Sequence, residues 1–124
     1  MNKVMTLYRG TSIESGKKLL EGNYEGLTWW AHDYETLSHY YEGCVIKMTI
    51  ELVDFDKVSI YGYDFIYNLD EVDEEELKHY KYGYSHMACP DATWYSINSN
   101  YLYKHKIKME EIDYKEAMKE LYNL

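Results

Sequence analysis

The nine residues from Cys44 to Leu52 constrain the fold most. Ile46, Met48, Ile50 and Leu52 fall on one face of an extended chain, and Lys47, Thr49 and Glu51 fall on the other. A period of two held over that length predicts a strand with one buried face. Such a strand is stable only inside a sheet. Residues 4–9 alternate toward a first strand that Gly10-Thr11-Ser12 ends, and Gly26 precedes Leu27-Thr28-Trp29-Trp30-Ala31, a bulky β-type run. Val58 with Ile60, residues 85–88, and Trp94 to Ile97 predict three further short strands, the last followed by a turn at Asn98-Ser99-Asn100. In 101–109, Tyr101, Tyr103, His105, Ile107 and Met109 alternate with Lys104, Lys106 and Lys108, a pattern suited to a strand near a sheet edge.

Helices are punctuated by their caps. Ser12 caps a predicted helix over 13–21, with Leu19 and Leu20 facing in and Gly22 as its stop. Asp33 caps a second from Tyr34 to Tyr41, closed by Gly43. Asp113 with Glu116 makes a capping-box-like start for the last, where Ala117, Met118, Leu121 and Tyr122 form an apolar stripe. Residues 62–84 mix tyrosines with the acidic run 70–76, which reads as a solvated helix start. No repeat, linker or low-complexity stretch divides the chain. The expected class is α+β with mostly antiparallel strands, in a single domain over residues 1–124.

Composition excludes several function classes. The chain has 124 residues, 46% hydrophobic and 17% aromatic, with 16 tyrosines and three tryptophans, enough for a packed core. Asp and Glu number 22 against 13 Lys and Arg, for a formal charge of −9, so a broad nucleic-acid-binding surface is not expected. No apolar run approaches the roughly 20 residues of a membrane-spanning helix, and Met1-Asn2-Lys3-Val4 leads into a strand-like segment rather than a signal peptide. Cys44 and Cys89 cannot build a disulfide framework or a four-cysteine metal site. The expectation is a soluble, acidic, cytoplasmic domain with no metal.

The usual catalytic constellations are missing. His32 and His39 lie seven apart on one predicted helix, too far to chelate one ion, and no HExxH, P-loop or GxGxxG occurs. Cys89 with His86 has the makings of a thiol–imidazole pair, but no oxyanion-hole signal accompanies it, and a structural cysteine is the default. One detail is sharper. Arg9 is the only arginine, and the other 12 basic residues are lysine. Lysine bias has a bland origin in an A/T-rich coding sequence; the alternative is that Arg9 marks a site needing a planar, bidentate fork.

Arg9 belongs to the segment Leu7-Tyr8-Arg9-Gly10-Thr11-Ser12, which is followed by Leu27-Thr28-Trp29-Trp30-Ala31 and then Tyr40-Tyr41. This order resembles the ADP-ribosyltransferase superfamily, which includes the poly-ADP-ribose polymerases. Those enzymes carry an aromatic-His-Gly-(Ser/Thr) strand end, with arginine replacing histidine in the arginine-type branch. A second motif follows: two aromatics, an alanine, and a helix delivering another aromatic eleven positions after the first. Trp29, Ala31 and Tyr40 match that spacing without a gap. A weaker similarity extends to compact phage-encoded anti-CRISPR members, through Ala31-His32, Glu35-Thr36 and Ser38-His39. The resemblance covers residues 5–50, and 85–108 more loosely.

The resemblance implies a split, mostly antiparallel β-sandwich with short flanking helices, NAD as substrate, and a macromolecular acceptor, foremost a protein. It implies that Trp29 and Tyr40 sandwich the pyridinium ring, a cation suited to aromatic faces. Arg9, Gly10 and Thr11 would hold the ribose, phosphate and carboxamide groups, with Gly10 admitting the ligand close to the main chain. Two departures stand out. Leu37 occupies a position usually held by serine in the histidine-type branch, and Thr93 occupies the usual glutamate slot. Asp91 is the nearest acid and the candidate catalytic carboxylate, which would stabilise an oxocarbenium-like transition state beside Arg9. The rival from another class is a non-catalytic interaction module whose acidic residues at 70–76 and 110–120 engage a basic partner or mimic nucleic acid.

Overall fold

The computed structural model describes residues 2–31, 43–53, 60–61, 84–88 and 93–122. In chain order the elements are β1 (Lys3–Thr11), α1 (Ile13–Glu21), β2 (Leu27–Ala31), β3 (Cys44–Leu52), β4 (Ile60–Tyr61) and β5 (Tyr84–Ala88). They continue with β6 (Thr93–Asn98), α2 (Ser99–His105), β7 (Lys106–Ile112) and α3 (Tyr114–Tyr122). The class is mixed α+β. The described strands join in the order β4-β5-β6-β2-β1-β3-β7, antiparallel throughout except for the parallel β4–β5 pair. The predicted helix over 34–41, the strand residue Val58, and the acidic run 70–76 lie outside the described residues.

The alternation in β3 sets the main core. Ile46, Met48, Ile50 and Leu52 are fully buried on one face, where Leu7, Trp30, Ile97 and the helix residues Leu19 and Leu102 join them. Val45 is also fully buried, on the opposite face, where it packs with Tyr8 and Ala117. β3 is therefore covered on both sides, by α1 and α2 on one and by α3 on the other.

α1 forms within the predicted bounds. Ser12 is extended (φ −65°, ψ 157°) and its Oγ accepts from the Ser15 amide at 3.1 Å. Gly22 ends the helix at φ 80°, a left-handed conformation that glycine adopts without penalty. Only one of the two leucines expected to face in does so. Leu19 is fully buried and Leu20 is 42% exposed, because a nine-residue helix on a sheet buries the narrow stripe through Gly16 and Leu19, and Leu20 sits about 100° further round.

The region after β6 corrects the expected turn and the first half of the expected strand over 101–109. Asn98 accepts from the Asn100 amide through Oδ1 at 3.0 Å and caps a helix, α2, and the extended chain begins only at Lys106. The tyrosines that imitate strand alternation are anchors for distant backbone. The Tyr101 hydroxyl donates to the Glu51 carbonyl at 2.8 Å and accepts from the Val53 amide at 2.9 Å. The Tyr103 hydroxyl donates to the Leu19 carbonyl at 3.1 Å and accepts from the Tyr24 amide at 3.2 Å. Anchoring backbone at the end of β3 and beyond α1 outweighs local strand preference. The edge placement holds for Lys106 and Lys108, which lie exposed on β7, the last strand of the sheet.

α3 is tied down by charge as well as by packing. The Tyr8 hydroxyl donates to Glu120 Oε2 at 2.5 Å, and Lys47 Nζ lies 2.8 Å from Glu120 Oε1. Partial burial alone would raise the Glu120 carboxyl, but hydrogen bonds from Lys47 and Tyr8 outweigh it and hold the pKa below its ordinary value. A depressed carboxylate adds stability that is present above its unfolded pKa and is lost as pH falls through the folded one. Glu120→Gln should therefore lower the denaturation midpoint at pH 7, and the difference from wild type should shrink as pH falls through the depressed folded pKa.

Candidate functional site

Among the described residues, pairing is sparsest between β1 and β2. β1 pairs with β3 at nine positions, from Lys3↔Leu52 to Thr11↔Cys44, and β2 pairs with β6 at five, from Leu27↔Asn98 to Ala31↔Trp94. Between β1 and β2 the one recorded pair is Tyr8↔Ala31. Past that rung, Arg9, Gly10 and Thr11 on one strand, and Leu27 to Trp30 on the other, are paired only to their outer neighbours. The two segments that the sequence singled out, some twenty residues apart in the chain, thus border one seam.

Arg9 bridges that seam. Its Nη1 donates to the Trp29 carbonyl at 3.0 Å. Its Nε is buried and has no hydrogen-bond partner, and Arg9 makes no ion pair among the described residues. Burial pulls the guanidinium pKa below its ordinary value, and nearby Tyr24 offsets part of the shift. A partly buried cation facing a carbonyl and a tyrosine, with its buried Nε donor unused, is electrostatically incomplete and suits an anion.

The other candidates divide by placement. Trp29 is half-buried in β2, and strand alternation puts its ring on the face shared by Ala31 and Tyr8. Arg9 pairs with Ile46 and so starts from the opposite face, that of the main core. The seam therefore brings Arg9 to the Trp29 main chain, not to its ring. Ala31 is fully buried at the closing rung. Gly10 and Thr11 continue β1 opposite Val45 and Cys44, so the strand runs through the segment expected to end it. Tyr40, Asp91, Glu35, Leu37, Cys89 and the histidines at 32, 39 and 79 lie outside the described residues. Trp30 is core: it is fully buried, its indole Nε1 donates to Thr28 Oγ1 at 2.6 Å, and that hydroxyl donates to the Ile97 carbonyl at 2.7 Å.

Two features escaped sequence reasoning. One is the Tyr8–Glu120–Lys47 cluster beside the closing rung, whose members are far apart in the chain. Only the register Tyr8↔Lys47 makes the pairing visible. The other is a shallow cavity of about 270 Å³ lined by Gly43, Cys44, Val45 and residues 111–114. Its thiol, Cys44, is buried, which together with Glu111 pushes its pKa up and leaves it a poor nucleophile. Within the acidic stretch 110–120, Glu120 is held by Lys47 and Tyr8, and Glu110 lies 3.4 Å from Lys108. Those two charges are partly spent inside the molecule.

Among the described residues no three His, Cys, Asp or Glu side chains are grouped to hold a metal ion, and no helix is long and apolar enough to cross a membrane. No family model, curated protein or solved structure matches the chain.

Proposed function

We propose that the chain binds NAD across the β1–β2 seam and transfers ADP-ribose to a macromolecular acceptor, foremost a protein, on an ADP-ribosyltransferase-like split sheet. The observation that carries this reading is Arg9, a partly buried guanidinium whose buried Nε is unpartnered, set between the two segments on which the family resemblance rests. A dianionic diphosphate supplies the negative charge that Arg9 lacks, and a planar fork can hold it while keeping the Trp29 carbonyl.

In this reading NAD binds at the seam, with its diphosphate toward Arg9 and its nicotinamide toward the Trp29 ring. Tyr40 would close over the ring. The bond between nicotinamide and the ribose C1′ breaks, and nicotinamide leaves with the bonding pair as a neutral base. Positive charge develops on the ribose, where Asp91 is the proposed carboxylate partner. The acceptor nucleophile forms the new bond to C1′ and releases its proton. Water in place of the acceptor gives NAD hydrolysis.

Trp29→Ala tests the ring assignment. NAD should quench wild-type tryptophan fluorescence, and the variant should bind about 1–3 kcal/mol more weakly, a base-stacking magnitude. An unchanged titration would remove Trp29 from the site. The interaction-module reading predicts tight capture of a basic partner with no nicotinamide released.

A further inference from the structure

We infer that Glu120 is a positioning residue: through Tyr8 it latches the C-terminal helix onto the rung that closes the β1–β2 seam. The inference concerns the mechanics of the seam, and its link to ligand rests on the NAD reading above.

Tyr8 occupies a singular place. It is opposite Ala31 in the recorded β1–β2 pair, opposite Lys47 in the β1–β3 ladder, and next in sequence to Arg9. Its hydroxyl is fixed by Glu120 on α3, and the same carboxylate takes Lys47 from β3. One side chain from the last helix thus grips two adjacent strands at the level of the rung. Ala117, three residues earlier and on the same side of the helix, is fully buried against Tyr8 and Val45, so the helix sits flush over this point.

The grip is neither dry nor loose. Side-chain exposures of 27% for Lys47 and 29% for Glu120 leave the ion pair partly screened, whereas Tyr8 is only 7% exposed. The tyrosine bond to a charged acceptor is therefore the stronger of the two contacts. Burial and the Glu120 carboxylate both push the Tyr8 hydroxyl pKa up, so it remains a donor. β1 is secured to β3 by nine pairs and needs no such help on that side. On the β2 side one pair falls among the described residues. A contact that fixes Tyr8 consequently acts at the last described rung before β1 and β2 part, next to Arg9.

Fragment-resolved hydrogen exchange on the full chain tests the latch without any ligand. In Glu120→Gln and in Tyr8→Phe, amides at 8–10 and 29–31 should exchange about tenfold faster or more, the loss of one hydrogen bond to a charged group. Amides of Ile46 to Ile50 should change far less. The Tyr8→Phe ring keeps the packing, so the test survives if Glu120→Gln folds poorly. Unchanged exchange at the seam, or a rise equal to that of β3, would overturn the latch. An NAD titration separates the two ideas. If wild type binds NAD, both variants should bind several-fold more weakly, and equal binding would overturn the link between latch and site. If wild type binds no NAD while the seam still loosens selectively, the functional reading fails and the latch stands.

Discussion

Trp30→Ala will destabilise the protein by about 3–5 kcal/mol, the range for removing a large aromatic from a packed core. Trp30 is fully buried, and it shares one core cluster with Leu7, Ile46, Tyr95 and Ile97, from strands on both sides of the seam. Deleting the indole leaves a cavity where β2 meets the rest of the sheet. It also takes one partner from the Thr28 hydroxyl, which keeps its bond to the Ile97 carbonyl. Native domains are stable by only about 5–15 kcal/mol, so the loss is a large fraction of the whole. Urea denaturation should show a lower midpoint with an unchanged slope. Trp30→Phe retains most of the volume and should recover the greater part. A midpoint within error of wild type for Trp30→Ala would mean that the core does not run through β2.

On the NAD reading, Arg9→Lys will cut turnover far out of proportion to its effect on folding. Lysine keeps the positive charge but has one compact ammonium, which cannot hold the Trp29 carbonyl and present a second donor edge to a diphosphate. Burial, which already lowers the Arg9 pKa, acts more effectively on an ammonium, so the substitute also tends toward neutrality. Turnover should fall about 10²–10³-fold, the magnitude of losing one preorganised electrostatic partner. The structural cost is one hydrogen bond to a carbonyl, about 1 kcal/mol. Equal activity in the lysine variant would reduce Arg9 to an ordinary cation at a strand end.

The parts of this fold legible in the sequence are those with local causes. The β3 face repeats every second residue, and α1 carries its own Ser12 and Gly22 caps, so both emerge from patterning alone. α2 does not. Tyr101 and Tyr103 alternate as a strand would, and what decides their conformation is backbone 50 and 84 residues away, at Glu51 and Leu19. The site shows the same division. Arg9 stood out as the lone arginine, and its hydrogen bond to the Trp29 carbonyl is a contact that no motif specified. The side of the sheet on which each ring or guanidinium emerges depends on register, which no motif encodes. Glu120, 112 residues from Tyr8, had no local signal at all.

The central claim is that the seam at Arg9 is an NAD site, and nicotinamide release tests it most directly. The folded protein would be incubated with adenine-labelled NAD and a cell lysate. Free nicotinamide would be measured by chromatography and labelled protein by gel. The account predicts free nicotinamide together with label on protein, both lost in Arg9→Lys at unchanged fold. A well-folded wild type that releases no nicotinamide, and whose tryptophan fluorescence does not respond to NAD, would contradict it.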